Sequence, residues 1–222
     1  MATRPNVLLL FMDDMTHRAI GALGDRRVRT PNLDRLVRRG TAFTHAFNQG
    51  SWTGAVCIPA RAMLLTGMSL FDARREIGRA PLLGETFREA GYATHFTGKW
   101  HNGDDTLRRC FATLGPHGGG FYPSTDESGD AYGRPAPGNR WDPTDTTRGG
   151  HWLPTPDGGV EHSSVRWADA AVAFLEEHAR RAPETPFFLQ VAFHAPHDPR
   201  QAPAEFLEMY PPETIDLPPN VW

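Results

Sequence analysis

Lysine is almost absent from this chain. Of its 23 lysine and arginine side chains, only Lys99 is a lysine. An ammonium at one place in a chain that otherwise uses guanidinium implies a need for a compact point charge there. Cysteine is nearly as scarce. Cys57 and Cys110 do not make a disulfide framework. Long apolar runs are missing, so nothing reads as a membrane span. The run from Val7 to Met12 is short, and Asp13-Asp14 closes it where a secretory cleavage site would be needed. There is no excess of one charge. The net charge is −3, which excludes an electrostatic nucleic-acid surface. These absences lead to the expectation of a cytoplasmic protein with no nucleic-acid or membrane partner. The 222 residues suffice for one large domain, and no internal repeat divides them.

What is present reads as alternating strands and helices. Asn6 to Met12 is expected to be a fully buried parallel strand. Asp13 and Asp14 follow at its carboxyl end, where ligands gather in open α/β sheets. Two adjacent carboxylates there suit a hard cation such as Ca²⁺ or Mg²⁺, or simply make an acidic turn. Thr30-Pro31 opens a helix that Gly40 closes, with Leu33, Leu36 and Val37 as its apolar face. Thr41 to Phe47 alternates like a half-buried strand.

Cys57 lies at the start of the next element. Ala60 to Leu65 are good helix formers, Gly67 reads as the stop, and Pro59 is tolerated only in a first turn. Cys57 is therefore expected at the N-cap, where free N–H groups and the helix dipole favour an anion. Arg61 adds a cation one turn on. A lone intracellular cysteine is more often a small buried hydrophobe.

Leu82 to Ala90 reads as an amphipathic helix closed by Gly91, and Tyr92 to Thr97 as a strand. The strand delivers Gly98-Lys99-Trp100-His101, and period-2 spacing puts Lys99 and His101 on one face, suited to an anionic substrate. Residues 102–160 are rich in Gly, Pro, Asp and Thr and read as an irregular insertion. Trp141, His151 and Trp152 within it are read as a substrate wall in a specificity region, or else as satellite packing under the loop. A helix from Ser163 or Ser164 to about Arg180 presents Val165, Ala168, Ala171, Val172 and Leu175 as a core stripe. Pro186 to Phe193 is a buried strand leading into His194-Ala195-Pro196-His197-Asp198-Pro199, a third loop at a strand's carboxyl end. Beyond Tyr210 the chain is extended and proline-rich. The fold expected is α/β, a mostly parallel central sheet flanked by helices on both faces.

Four motifs carry a family resemblance: Asn6 to Asp14, Cys57-x-Pro59-x-Arg61 followed by Leu64-Leu65-Thr66-Gly67, Gly98-Lys99-Trp100-His101, and Pro196-His197-Asp198-Pro199. Together they resemble the type I sulfatases of the alkaline phosphatase superfamily, and the likeness covers nearly the whole chain. Ala60 stands where many members have Ser, and Met68 where Arg is common. The resemblance implies that a maturing enzyme oxidises Cys57 to formylglycine, whose hydrate is the nucleophile. It implies a divalent metal, Ca²⁺ ahead of Mg²⁺, held by Asp13, Asp14 and the modified Cys57. It assigns Arg61 to steadying the nucleophile, Lys99 and His197 to the sulfate, and His101 to the hydrate; His194 is a weaker candidate, for substrate contact or for support behind the contacting residues. The implied substrate is a small-molecule or carbohydrate sulfate ester. Members are longer and complete the metal site with later residues, so the expectation is an incomplete N-terminal catalytic domain over 1–222, inactive by itself. A phosphoric or phosphonic monoester hydrolase of the same superfamily, or a non-catalytic binding protein that keeps Cys57 as a thiol, are the alternatives.

Overall fold

The computed structural model describes residues 4–24, 27–119, 142–148 and 150–216. Trp141 and the last part of the proline-rich tail lie outside them. Four parallel strands make the central sheet in the order β1-β6-β2-β3. Their ranges are β1 Val7–Met12, β2 Ala93–Lys99, β3 Thr113–Gly118 and β6 Phe187–Phe193. A short antiparallel hairpin, β4 Trp152–Pro154 with β5 Val160–His162, stands apart. Helices cover both faces of the sheet, as expected of an α/β layer architecture.

The pleat of β6 divides the core. Phe188 and Ala192 face a cluster containing Leu65, Leu82, Phe96, Trp100 and Phe111. Phe96 and Trp100 come from β2 and its end, and the others from or next to α2 Cys57–Thr66, α4 Leu83–Glu89 and α5 Asp104–Cys110. Leu189 and Val191 face the other way, against Trp167 and Ala171 of α6 Ser163–Arg181. Successive side chains of a strand point to opposite faces, so one strand serves both halves of the core.

Several sequence expectations need correction. β1 is only half buried: Val7, Leu9 and Phe11 pack on the first cluster, but Leu8 and Leu10 are 47% and 38% exposed. It is an edge strand, and α6 packs over β2, β3 and β6. Residues 41–47 form no strand. They are exposed throughout, with Phe43 and Phe47 each at 84%, because no element among the described residues pairs with or covers them. The stripe of α6 is rotated from the expected one. Ser163, Trp167 and Ala171 are buried, while Val165 and Val172 are exposed; Trp167 and Phe174 bury more area than the valines and turn the helix toward themselves. The start of the segment expected to be irregular is regular, since α5 and β3 occupy residues 104–118. Pro116 is tolerated there because β3 is an edge strand.

The helix α1 Pro31–Arg39 begins where Thr30-Pro31 predicts, although Gly40 ends it in an extended rather than a left-handed conformation. Thr30 does not cap the helix N–H groups. Its hydroxyl donates to Asp34 Oδ1 and accepts from the Gly21 N–H.

Candidate active site

Three neighbouring parallel strands end together. Met12 pairs with Phe193, and Gly98 with Ala192. The residues just beyond, Asp13, Lys99 and His194 to His197, therefore reach the same edge of the sheet, the crevice where α/β proteins place ligands. The helix α2 is fixed over this edge by Arg61, whose Nη1 donates to the Lys99 carbonyl at 2.9 Å. Asn102 Nδ2 also donates to the Ile58 carbonyl at 3.3 Å. Cys57 is the first residue of α2 and is buried; Val56, not Cys57, is the N-cap. Gly67 ends the helix with φ 67°.

Asp13 is the electrostatic centre. It is buried, and the Lys99 ammonium donates to its Oδ2. Arg61 Nη2 lies 3.7 Å from the same oxygen, with its guanidinium 4.9 Å from the centroid of the Phe11 ring. The only lysine of the chain is thus fully buried, at 0% exposure, against a carboxylate. Burial depresses the Arg61 pKa, and the charges of Asp13, Cys57 and Asp14 oppose that depression. The same four groups therefore lie within one electrostatic cluster.

The histidines divide into two kinds. His101 is pulled below its ordinary pKa by burial first, then by Lys99 and Arg61, so it is neutral at pH 7. His197 Nε2 faces Asp14 Oδ2 at 3.6 Å, and its Nδ1 is 2.8 Å from the Asp198 carbonyl. Since a carbonyl only accepts, that nitrogen carries the proton and leaves Nε2 as an acceptor in the neutral ring. His194, the weaker candidate, has both ring nitrogens engaged by the protein, which matches the supporting role rather than direct substrate contact. Trp167 Nε1 donates to its Nδ1 at 3.3 Å, and its Nε2 donates to the Gly119 carbonyl at 2.8 Å. His151, expected in a substrate wall, is also buried. Its Nε2 donates to the His197 carbonyl at 2.8 Å, its N–H to Gln201 Oε1 at 2.8 Å, and its carbonyl accepts from Ser163. It ties the 195–201 loop to the start of α6. No local sequence signal marks this role, because the partners lie 46 and 50 residues away.

Three buried atoms of the cluster, Arg61 Nε and Nη2 and His101 Nδ1, have no hydrogen-bond partner among the described residues. Buried polar atoms are normally paired. Unmatched hydrogen-bonding capacity beside Cys57 fits a bulkier, oxygenated group on that side chain or a bound anion. The fit to a divalent cation is only partial. Asp13 and Asp14 offer at most about four oxygens where Ca²⁺ takes six to eight. Asp13, Asp14 and Cys57 do not make a three-donor group, and no set of three His, Cys, Asp or Glu side chains among the described residues does.

Arg61→Ala is expected to destabilise the fold by about 3 kcal/mol, since one member of a buried charge cluster is removed. It also leaves the Lys99 carbonyl without its donor. Urea unfolding checks this, and an unchanged midpoint would refute the role given to Arg61.

Comparison with known proteins agrees with this geometry. The family model described as Sulfatase matches residues 5–219. Human iduronate 2-sulfatase is 31% identical over 237 aligned positions, covering 97% of this chain and 39% of that enzyme. An ulvan-active sulfatase from Formosa agariphila is also 31% identical, over 99% of this chain and 41% of its own length. The crystal structure of Ps i-CgsB in complex with k-i-k-neocarrahexaose superposes with a TM-score of 0.67 at 25% identity, covering 96% of this chain and 49% of that one. The chain thus spans less than half the length of each of these three relatives. On the match over residues 5–219, and on its likeness to these enzymes, the chain belongs to the sulfatase family.

Proposed function

We propose that this chain carries the nucleophile and anion-binding half of a sulfuric ester hydrolase. The observation that carries the reading is the convergence of Cys57, Arg61, Lys99, His101 and His197 around Asp13. Oxidation of Cys57 to formylglycine by a maturing enzyme would supply a geminal diol as nucleophile in place of a thiol. The chain's own residues then have separate tasks. Arg61 anchors the start of α2 on the end of β2, so that position 57 cannot drift from the strand ends. His101, kept neutral, has a ring nitrogen without a partner among the described residues, which would serve the hydrate at position 57. Lys99 supplies the point charge for the anionic group. His197, oriented by Asp198 and by His151 behind it, presents Nε2 as the atom that takes or returns a proton at the ester oxygen.

A divalent metal, Ca²⁺ ahead of Mg²⁺, belongs to the same reading, with Asp13 and Asp14 as part of its oxygen shell. The described residues do not complete that shell by themselves. The substrate class follows from the relatives: a carbohydrate or small-molecule sulfate ester. Two solved neighbours carry sugars, k-i-k-neocarrahexaose in one and D-glucosamine-2-N,6-O-disulfate in the other. No helix among the described residues is long and apolar enough to cross a membrane, and the proposed site of action is the cytoplasm.

The test is co-expression with a formylglycine-generating enzyme. An aldehyde-specific probe should label wild type and not Cys57→Ala, and any release of sulfate from an aryl sulfate should be confined to labelled protein. Faster release of phosphate from the matching aryl phosphate would favour a phosphoric monoester hydrolase. Labelled protein that binds sulfate but turns over neither ester would refute catalysis by this chain alone, and a thiol that resists labelling would favour a binding protein.

A further inference from the structure

A groove of about 690 Å³ lies between the first turns of α6 and the segment that follows β6. Val165 and Ala168 stand on one side of it, and Pro196, Ala202, Pro203 and Phe206 on the other. His151, His162 and Gln201 also line it, but their polar atoms are spent on the protein. His151 Nε2 donates to the His197 carbonyl, and its Nδ1 lies 3.4 Å from Ser163 Oγ. His162 Nε2 donates to the Gln201 carbonyl at 3.3 Å, and its Nδ1 accepts from the Ser164 N–H at 3.2 Å. Gln201 Oε1 accepts from the His151 N–H. Burial holds both rings below their ordinary pKa, so neither is charged at pH 7. A sugar ring lodged here would set its hydroxyls against donors and acceptors already in use, and stranded hydroxyls are costly. A hydrocarbon ring has no such need.

The rim is charged unevenly. Arg200 is met by Asp198, Nε to Oδ1 at 2.9 Å. Asp169, on the facing helix, adds a carboxylate with no ion-pair partner among the described residues. The groove is also continuous with the charged cluster through one side chain. His197 lines it, while its Nε2 faces Asp14 Oδ2 at 3.6 Å.

We propose that this groove receives the alcohol half of the sulfate ester and selects a compact, uncharged apolar ring, with Ala168, Asp169 and Phe206 as specificity-determining residues. The inference rests on the sulfatase reading above and narrows its substrate to the sulfate of a small apolar alcohol. With the ester oxygen at His197 Nε2, the ring lies between Ala168 and Pro196. Phe206, 55% exposed, offers it an aromatic face. Asp169 repels a ring that carries a carboxylate.

The test uses the chain matured by the formylglycine-generating enzyme and three probes: inorganic sulfate, phenyl sulfate and 4-carboxyphenyl sulfate, titrated by calorimetry. Phenyl sulfate should bind about twentyfold more tightly than inorganic sulfate, the gain that six ring carbons bring at the efficiency usual for drug-sized ligands. The carboxylated ring should lose about fivefold of that gain, as expected of like charges near a surface. Ala168→Phe fills the groove from an exposed helix position. It should reduce phenyl sulfate to the affinity of inorganic sulfate and leave inorganic sulfate itself unchanged. Asp169→Arg should reverse the order of the two aryl esters, and it carries the test if Ala168→Phe does not fold. Inorganic sulfate that binds as tightly as phenyl sulfate, or an aryl preference untouched by both variants, overturns the inference and leaves the sulfatase reading standing. A chain that binds none of the three probes overturns both.

Discussion

Gly98→Ala should all but abolish cooperative folding, lowering stability by about 4 kcal/mol or more, the range reached only by severe packing or backbone conflicts. Gly98 has φ 109°, a region that L side chains rarely adopt. It pairs with Ala192 on one side and His117 on the other, and a Cβ there would sit 1.9 Å from the Ala192 carbonyl oxygen. That neighbour is the backbone of the central strand β6, which cannot swing aside as a side chain can. Accommodation requires β2 and β6 to separate where Lys99 meets Asp13 and where Arg61 finds its acceptor. The damage would thus reach the fold and the site together. Gly103→Ala is the control. Gly103 also has positive φ, 84°, but a Cβ there meets nothing within 4 Å, so only backbone strain of about 1–2 kcal/mol is expected. Urea unfolding of both variants separates the effects. If the Gly98→Ala midpoint falls no further than that of Gly103→Ala, close strand approach is not what requires this glycine.

That glycine also shows what the sequence makes legible. Gly98-Lys99-Trp100-His101 reads as a strand end with two polar residues on one face. The structure agrees: Trp100 goes into the core while Lys99 and His101 join the charged cluster. Cys57, Arg61 and Gly67 are legible because helix ends have local chemistry in propensity, dipole and left-handed termination. Long-range commitments are not legible in this way. Nothing near His194 in the chain announces that Trp167 and Gly119 use both of its ring nitrogens. Nothing near His151 shows that it holds the His197 loop from behind. The alternation over 41–47 is a sound strand signal, but a strand needs a partner and a cover, and these residues have neither among the described residues. The stripe on α6 failed for a related reason. Apolar residues ring much of that helix, and the sheet selects the face with Trp167 and Phe174. Local rules place elements and their ends; which face is buried depends on what arrives from elsewhere.

Mild acid should unfold this chain, and the buried histidines are the reason. Burial holds His95 and His151 down to about 4 and His194 down to about 3. In the unfolded chain each returns to a pKa of about 6.5. Between these values the unfolded state binds protons that the folded state refuses, so stability rises with pH there and falls as pH drops. Their stabilisation is therefore complete above about pH 6.5 and is lost progressively toward pH 4, by up to about 1.4 kcal/mol per pH unit for each ring. Three rings over two units approach the roughly 5–15 kcal/mol that holds a typical domain together. An unfolding midpoint between about pH 4 and 5.5 is expected, above the range in which carboxylates alone would act. Circular dichroism from neutral pH downward checks this. His95→Gln keeps a polar group for Thr113, which lies 2.8 Å from the imidazole, but removes one titrating ring. It should lower the slope of unfolding free energy against pH by at most about a third, since the slope counts protons taken up on unfolding and His101 and His162, also held down by burial, add to it. A signal that stays native to pH 3.5, or a slope unchanged in His95→Gln, would mean that these rings accept protons inside the fold, and that the packing which ties His151 and His194 to the active-site loops is far looser than their hydrogen bonds imply.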